Sequence, residues 1–548
     1  MPPTYYTQLT EDLDANNDAE ISTTEQHHDT STHPLRIYTL ATIVCFGGLL
    51  FGYDSGVIGG VLTFPSFHTS FAIIPDTATS ISSISVGIQQ AGALLGCLLI
   101  TPVTNAHGRR RALMLCSAVF CTGVIFEILD LHSLSLFYIG RVICGLGIGG
   151  SATVAPIYLA EMAPSHLRGR LGSGYQFTFT VGILVSYWLD YALQFMDARP
   201  SQWQVPLALQ ILPGAAMGLG MVWLPESVRW LLDRGDEAGA WRSLAWARHS
   251  NPNFHEDEVA SEFNEMKRAV ETDRHETADF HPRELLRRPN LKRVLLAVGI
   301  FIAQQATGAT AMAYFGPQFF EILVGSSSSS EARASSGSGS NGGDSSLPLL
   351  LTGIFGLLKV TSCLVFILLV ADRFGRRPLL GFGAAGMSLC LIATSILLST
   401  TPTSSSSTSP STPSDGVNGT TIPTILLIYL TITLYNLSWG PLPWPYVAEI
   451  FPTTRLRSPG VSLAVAAQWL SNFIWSSATP YILRDLKWAT FLLFGGLDLV
   501  IAGVVWWCVP ETRGLTLEGV QGVFGDEYEV ASKSKPMDSR FCSAEPHP

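Results

Sequence analysis

Ionisable side chains stand inside long apolar runs where nothing local compensates them: Asp54 in GGLLFGYDSGVIGGVL, Arg141 in FYIGRVICG, Lys359 in FGLLKVTSC and Asp498 in FGGLDLVIAG. A lone charge at such depth costs about 2.5–3.5 kcal/mol on insertion scales, so Asp54 and Arg141 are expected to pair and face a cavity. Lys359 lies too deep to snorkel to either interface and needs a partner or a wet surface. Asp498 is its expected carboxylate. If Lys359 faces a cavity without one, it becomes a ligand for an anionic solute. A second set is rich in amides and indoles: Gln176 in GYQFTF, Gln304, Gln305 and Thr310 in QQATGATA, Trp444 in PLPWP, and Gln468, Trp469 and Asn472 in AQWLSN. These groups give directed donors and acceptors and an apolar platform without a full charge, which suits a neutral polyol. Amides in a membrane also bind helix to helix, and that reading stays open. No P-loop, nucleophile–base set or metal constellation stands among the loops, so the chemistry is recognition without covalent steps, not enzymatic, and no cofactor or metal is implied.

The elements that must position these groups are transmembrane helices. The 548-residue chain is 47% hydrophobic and only 14% charged, with mean hydropathy +0.30. Apolar runs at 36–62, 79–103, 111–130, 134–158, 171–196, 203–224, 291–320, 347–371, 378–399, 424–447, 458–483 and 487–509 each reach the length of about 20 residues that a bilayer demands. With the termini inside, the inner segments carry 27 Lys and Arg and the outer loops four, Arg199, Arg333, Arg484 and Lys487. The positive-inside rule then places both termini in the cytosol. Residues 1–35 form a polar tail without the apolar core of a signal peptide, and are expected to be a disordered cytosolic extension, while 510–548 is expected to be a cytosolic C-terminal tail. The net charge of −10 owes much to the first of these, so it does not point to nucleic acid.

Segments 325–346 (Ser/Gly-rich) and 400–416 (Ser/Thr/Pro-rich) read as flexible outer loops. Asn418 in the sequon NGT is an expected glycosylation site there, whereas Asn436 in NLS lies within a span and should be silent. In the long inner loop at 225–290, Val259, Phe263, Met266 and Val270 recur at helical spacing, which predicts short amphipathic helices.

The chain also repeats itself. NAHGRRR after the second span matches DRFGRRP after the eighth; PIYLAEMAPSHLRGR after the fourth matches WPYVAEIFPTTRLRS after the tenth; LPESVRWL after the sixth matches VPETRGLTL after the twelfth. A six-helix unit is duplicated in parallel, an arrangement tied to transporters that bind solute at the midplane. Together with GGLLFGYDSGVIGGVL, QQATGA and GPLPWPYVAEIFP, these motifs make a specific combination. The chain resembles the sugar porter family of the major facilitator superfamily, particularly its fungal hexose and monosaccharide transporters, over nearly all of 36–520.

The resemblance implies an all-α fold of two six-helix bundles, 36–224 and 291–509, and alternating-access transport of a small polar solute at the plasma membrane. A monosaccharide carried with a proton leads. A facilitator, or a polyol or quinate-like organic-acid carrier, is the alternative, and a non-transporting sugar sensor follows. Asp54 becomes the proton-binding carboxylate with Arg141 as its partner, and the amide and indole set becomes the substrate site, although Thr310 stands where many members carry asparagine. The resemblance further implies cytosolic ion pairs that clasp the halves in the outward-facing state. Their carboxylates are Glu161, Glu226, Asp372, Glu449 and Glu511, and their cations Arg109, Arg110, Arg168, Arg229, Arg376, Arg377 and Arg457.

Overall fold

A computed structural model describes residues 35–129, 131–164, 167–248, 256–277, 281–324, 346–371, 373–400, 421–451 and 454–513. Both tails, the two low-complexity loops, Asn418 and Asp372 lie outside the described residues, and the side chain of Arg168 is likewise not described.

The protein is helical throughout the described residues, and its spans form two bundles of six. In the first bundle they are Leu35–Val61, Pro75–His107, Arg109–Ile128, Leu134–Met162, Arg168–Leu193, and the pair Ser201–Leu209 and Ile211–Trp223. The second bundle begins with three consecutive pieces, Arg288–Ala306, Ala309–Tyr314 and Gly316–Val324. Ser346–Val365, prolonged by a π turn to Val370, and Arg376–Thr400 follow. Thr421–Asn436 with Pro443–Glu449, then Thr454–Leu486 and Ala489–Cys508, complete it. Eight spans are long and apolar enough to cross a membrane by length and composition alone. The other four are interrupted or carry the polar groups of the central cavity, which lowers their hydropathy.

The runs at 291–320 and 424–447 read as continuous in the sequence, and both are broken. Gly308 adopts φ +77°, a left-handed conformation that side chains resist, and so divides the seventh span after its QQAT segment. The tenth span opens between Asn436 and Pro443, where Pro441 and Pro443 supply no N–H. Main-chain carbonyls freed at this depth need partners. The Gln304 amide donates to Trp439 O (2.8 Å) and Gly440 O (3.2 Å), so one break is repaired by a side chain from the other broken helix.

Spans 2 and 11, 5 and 8, and 1 and 7 join the bundles. At the arginine-poor end they are closed: Ser83 Oγ donates to Ser477 O (2.6 Å), Tyr187 OH to Ala313 O (2.5 Å), and Tyr481 OH meets Ser80 Oγ (3.2 Å). Gly59 lies so close to Tyr314 O that a Cβ would come within 2.4 Å of it. Toward the arginine-rich end the bundles part around a cavity of about 2320 Å³. Three helices lie across that end: Val228–Asp233, Glu237–Arg248 and Glu256–Thr277. Val259 and Val270 are buried and Phe263 packs edge-on against Trp241, which explains their helical spacing.

Candidate solute site and charged networks

The cavity floor gathers Gln176 of the fifth span, Gln304, Gln305 and Thr310 of the seventh, Trp444 of the tenth, and Gln468, Trp469 and Asn472 of the eleventh. Residues up to about 300 positions apart thus line one space. Some of their polar atoms are already engaged. Gln468 Nε2 donates to Gln304 Oε1 (3.0 Å), and Asn472 Nδ2 to Gln90 Oε1 and Tyr314 OH (3.1 Å each). Others are buried with no hydrogen-bond partner among the described residues: Gln305 Oε1, Asn472 Oδ1 and Trp469 Nε1. Two acceptors and one donor thus stand unpaired at the cavity floor, groups that the hydroxyls of a polyhydroxylated molecule would match. Aromatic walls flank them, with Phe51 against Trp469 (5.4 Å) and Phe301 against Trp444 (5.0 Å).

Gln305→Ala, which removes an unpaired acceptor at the cavity floor, is expected to weaken apparent affinity by about 1–3 kcal/mol, roughly 5- to 150-fold. Trp444→Ala is expected to act comparably through its lost platform. Gln304→Ala should cost stability as well, because it frees the two carbonyls of the tenth span. Uptake kinetics normalised to surface expression check all three. Wild-type affinity in the first two would place the ligand elsewhere.

Deeper in the first bundle, Arg141 Nη1 lies 2.9 Å from Asp54 Oδ1, and Gln89 bridges them, donating its amide to Asp54 and accepting from Arg141. Arg141 Nε donates to Ser85 O (3.0 Å). A second carboxylate, which the sequence reading did not single out, completes the cluster. Glu127 of the third span is fully buried 3.6 Å from the same Arg141 nitrogen and accepts from Gln210 Nε2 (3.0 Å). Its position in an apolar run was the available signal, but it is the penultimate residue of its helix and resembles an interfacial charge.

The expected pairing of Lys359 with Asp498 is not made. The eighth span packs on the fifth and tenth, whereas the twelfth packs chiefly on the ninth, so the two helices do not present these groups to each other. Asp498 is buried, and neither of its oxygens has a hydrogen-bond partner among the described residues. Lys359 lines the central cavity with Nζ over the Phe179 ring, 5.6 Å from its centroid. No ion pair reaches it among the described residues. Its amine is presented to the central cavity.

At the arginine-rich end the duplicated motifs build duplicated geometry within each bundle. Arg109 pairs with Glu161 (2.9 Å) and Arg376 with Glu449 (3.3 Å). Glu226 and Glu511 bind main chain instead: Glu226 accepts from Arg109 N (2.8 Å) and Arg110 N (3.1 Å), Glu511 from Arg376 N (2.8 Å) and Arg377 N (3.1 Å). Each carboxylate therefore caps the N-terminus of the third or ninth span, where helix-end N–H groups and the dipole favour an anion. Ser227 and Thr512 repeat the pattern, donating hydroxyls to Glu161 and Glu449. The guanidinium of Arg110 donates to Met221 O and Val222 O, that of Arg377 to Trp506 O, and that of Arg457 to Phe451 O. Arg229 pairs with Asp273 (2.7 Å) in the helices that cross this end.

Burial pushes the Glu511 carboxyl up, but N–H groups of Arg513, Arg376, Arg377 and Thr512 outweigh it and hold it below the usual value of 4.5. A depressed folded-state value contributes stability above the unfolded value, and that stability is lost as pH falls through the folded one. Thermal unfolding of solubilised protein from pH 7 to below 4.5 should show a decline that Glu511→Gln lacks. Parallel curves for both would remove the cap from the account.

The family model for sugar (and other) transporters matches residues 40–524. The chain is 31% identical over 498 residues to a quinate permease of Emericella nidulans, covering 89% of this chain and 88% of that protein. It is likewise 31% identical over 501 residues to a quinate permease of Neurospora africana, with 89% of each covered. Among solved structures it is similar to the partially occluded inward-open xylose transporter XylE of E. coli, at 25% identity and TM-score 0.69, covering 88% of this chain and 99% of that one. It is also similar to the proton:xylose symporter XylE bound to 6-bromo-6-deoxy-D-glucose, at 26% identity and TM-score 0.68, covering 89% and 99%.

Proposed function

The chain belongs to the sugar transporter family of the major facilitator superfamily, and on that premise we propose that it carries a polyhydroxylated monocarboxylate of the quinate class together with a proton. The observation that carries this reading is Lys359, a cation lining the cavity with no carboxylate beside it among the described residues. A quinate-like molecule has ring hydroxyls for the free amide and indole atoms, and a carboxylate for the lysine. The quinate permeases among its relatives support the same class.

The arginine-rich end is cytosolic on the positive-inside rule, both termini lie there, and the plasma membrane is the site of uptake. The open cavity is then the inward-facing state of an alternating-access cycle. The paired arginine motifs stabilise each bundle's inner end in this state and meet across the halves in the other. Asp54 binds the transported proton. Protonation breaks its pair with Arg141, while Glu127 at 3.6 Å leaves the guanidinium a counter-charge, so the cluster changes its internal contacts without exposing a lone buried cation. One proton and one anionic solute make the loaded carrier's cargo neutral, which lowers the barrier to reorienting it.

Uptake by transport-deficient cells of radiolabelled quinate, glucose and xylose, with and without a protonophore, tests the reading. Quinate should be accumulated, and the protonophore should abolish the gradient. A second reading, monosaccharide:proton symport, draws on the amide set and on the likeness to the xylose symporter; preferential sugar accumulation would establish it instead. Uptake indifferent to the protonophore would indicate facilitated diffusion.

A further inference from the structure

On the outer wall of the molecule, toward the arginine-rich end, a second cavity of about 640 Å³ runs between the bundles. One wall is Leu94 of the second span. The others are Leu291, Leu295 and Val298 of the seventh and Leu463 and Ala467 of the eleventh. An exposed leucine facing lipid is unremarkable, but this is a cleft, and its rim is cationic. Arg283 lines it directly from the 3₁₀ turn Pro282–Leu286. Arg287 and Arg288 stand at the start of the seventh span, three to four residues before Leu291, and Lys292 follows it. All four cations are exposed, and none has an ion-pair partner among the described residues. The one carboxylate in 281–293, Glu284, accepts from His281 N (3.5 Å) within its own turn.

We propose that this cleft binds an anionic phospholipid, its acyl chain between the bundles and its phosphate and headgroup on Arg283, Arg287, Arg288 and Lys292. An apolar slot under a cluster of unpaired cations matches an amphiphile with a negative head, and the cytosolic leaflet, where the proposed orientation puts this rim, is rich in such lipids. Since Leu94 belongs to one half and the remaining walls to the other, an occupied cleft holds the halves at their present separation. Lipid binding is thereby linked to the open state.

The test is native mass spectrometry of the full-length purified protein with added phosphatidylserine or phosphatidylcholine. Phosphatidylserine should be retained over phosphatidylcholine by about tenfold or more. Two variants should each lose it: R283Q/R287Q/R288Q/K292Q, which removes the rim, and Ala467→Phe, which fills the slot and keeps every charge. Equal retention of the two lipids overturns the proposal. So does undiminished binding in Ala467→Phe, which would mean loose surface attraction. Competition by glycerophosphoserine as strong as by the whole lipid would make this a site for a soluble anion, and would also overturn it. None of these outcomes depends on which solute is carried.

Discussion

Lys359→Met is expected to abolish quinate uptake while the protein still folds and reaches the membrane. Methionine keeps the length and apolar stem of lysine and removes the only charge that the eighth span offers to the cavity. Loss of a charge-assisted contact costs about 1.5–3 kcal/mol, and a carboxylate left unpaired costs more, so a fall of at least 100-fold in uptake efficiency is the expected scale. Lys359→Arg keeps the charge but adds a planar fork on a longer reach, and should recover only part of the activity. The neutral amide of quinate should be a poor substrate for wild type and should lose nothing further in the methionine variant. Concentrative quinate uptake by Lys359→Met at the wild-type rate would sink the role of this residue. Xylose or glucose uptake that survives the change, with quinate never transported, would favour the monosaccharide reading.

Asp54→Asn is expected to abolish uphill accumulation and leave exchange of labelled for unlabelled solute across the membrane intact. Asparagine preserves the shape of the side chain beside Gln89 and Arg141 and cannot take up and release a proton. Counterflow requires only that the loaded carrier reorient, whereas accumulation requires the proton gradient to enter the cycle. Removing the partner of a buried arginine usually costs about 3–5 kcal/mol, but Glu127 still stands 3.6 Å from the same guanidinium, so the variant should remain folded. A variant lacking both, Asp54→Asn with Glu127→Gln, should lose expression, which separates the structural part of the cluster from its coupling part. Unchanged accumulation by Asp54→Asn would exclude it as the coupling group.

How much of this was legible in the sequence depends on the range over which each feature acts. Hydropathy is local, because each stretch meets the bilayer on its own, so the twelve spans and the arginine-rich end could be read directly. The duplicated motifs are local as well, and PES and PET reappear as carboxylates at equivalent helix ends. What those carboxylates bind was not legible: paper pairings with arginine side chains gave way, for Glu226 and Glu511, to main-chain N–H groups at helix N-termini. A charge without a local partner announces that a partner must exist but not which one. For Arg141 the answer was Asp54 and also Glu127, and for Lys359 the expected answer, Asp498, was wrong.

Those outcomes belong to the tertiary structure, because they depend on which helices are neighbours, and neighbours here are set by packing across many intervening residues. The eighth span lies against the fifth, so Lys359 faces Phe179 and the cavity rather than the twelfth span. Gln304 and the opened tenth span make the same point. A helix can be broken at that depth because an amide 135 positions earlier reaches Trp439 O, and no window of sequence contains both. Residue types suited to recognising a polar solute were written in the chain, whereas which of their atoms are left unpaired was decided only when the two bundles packed around them.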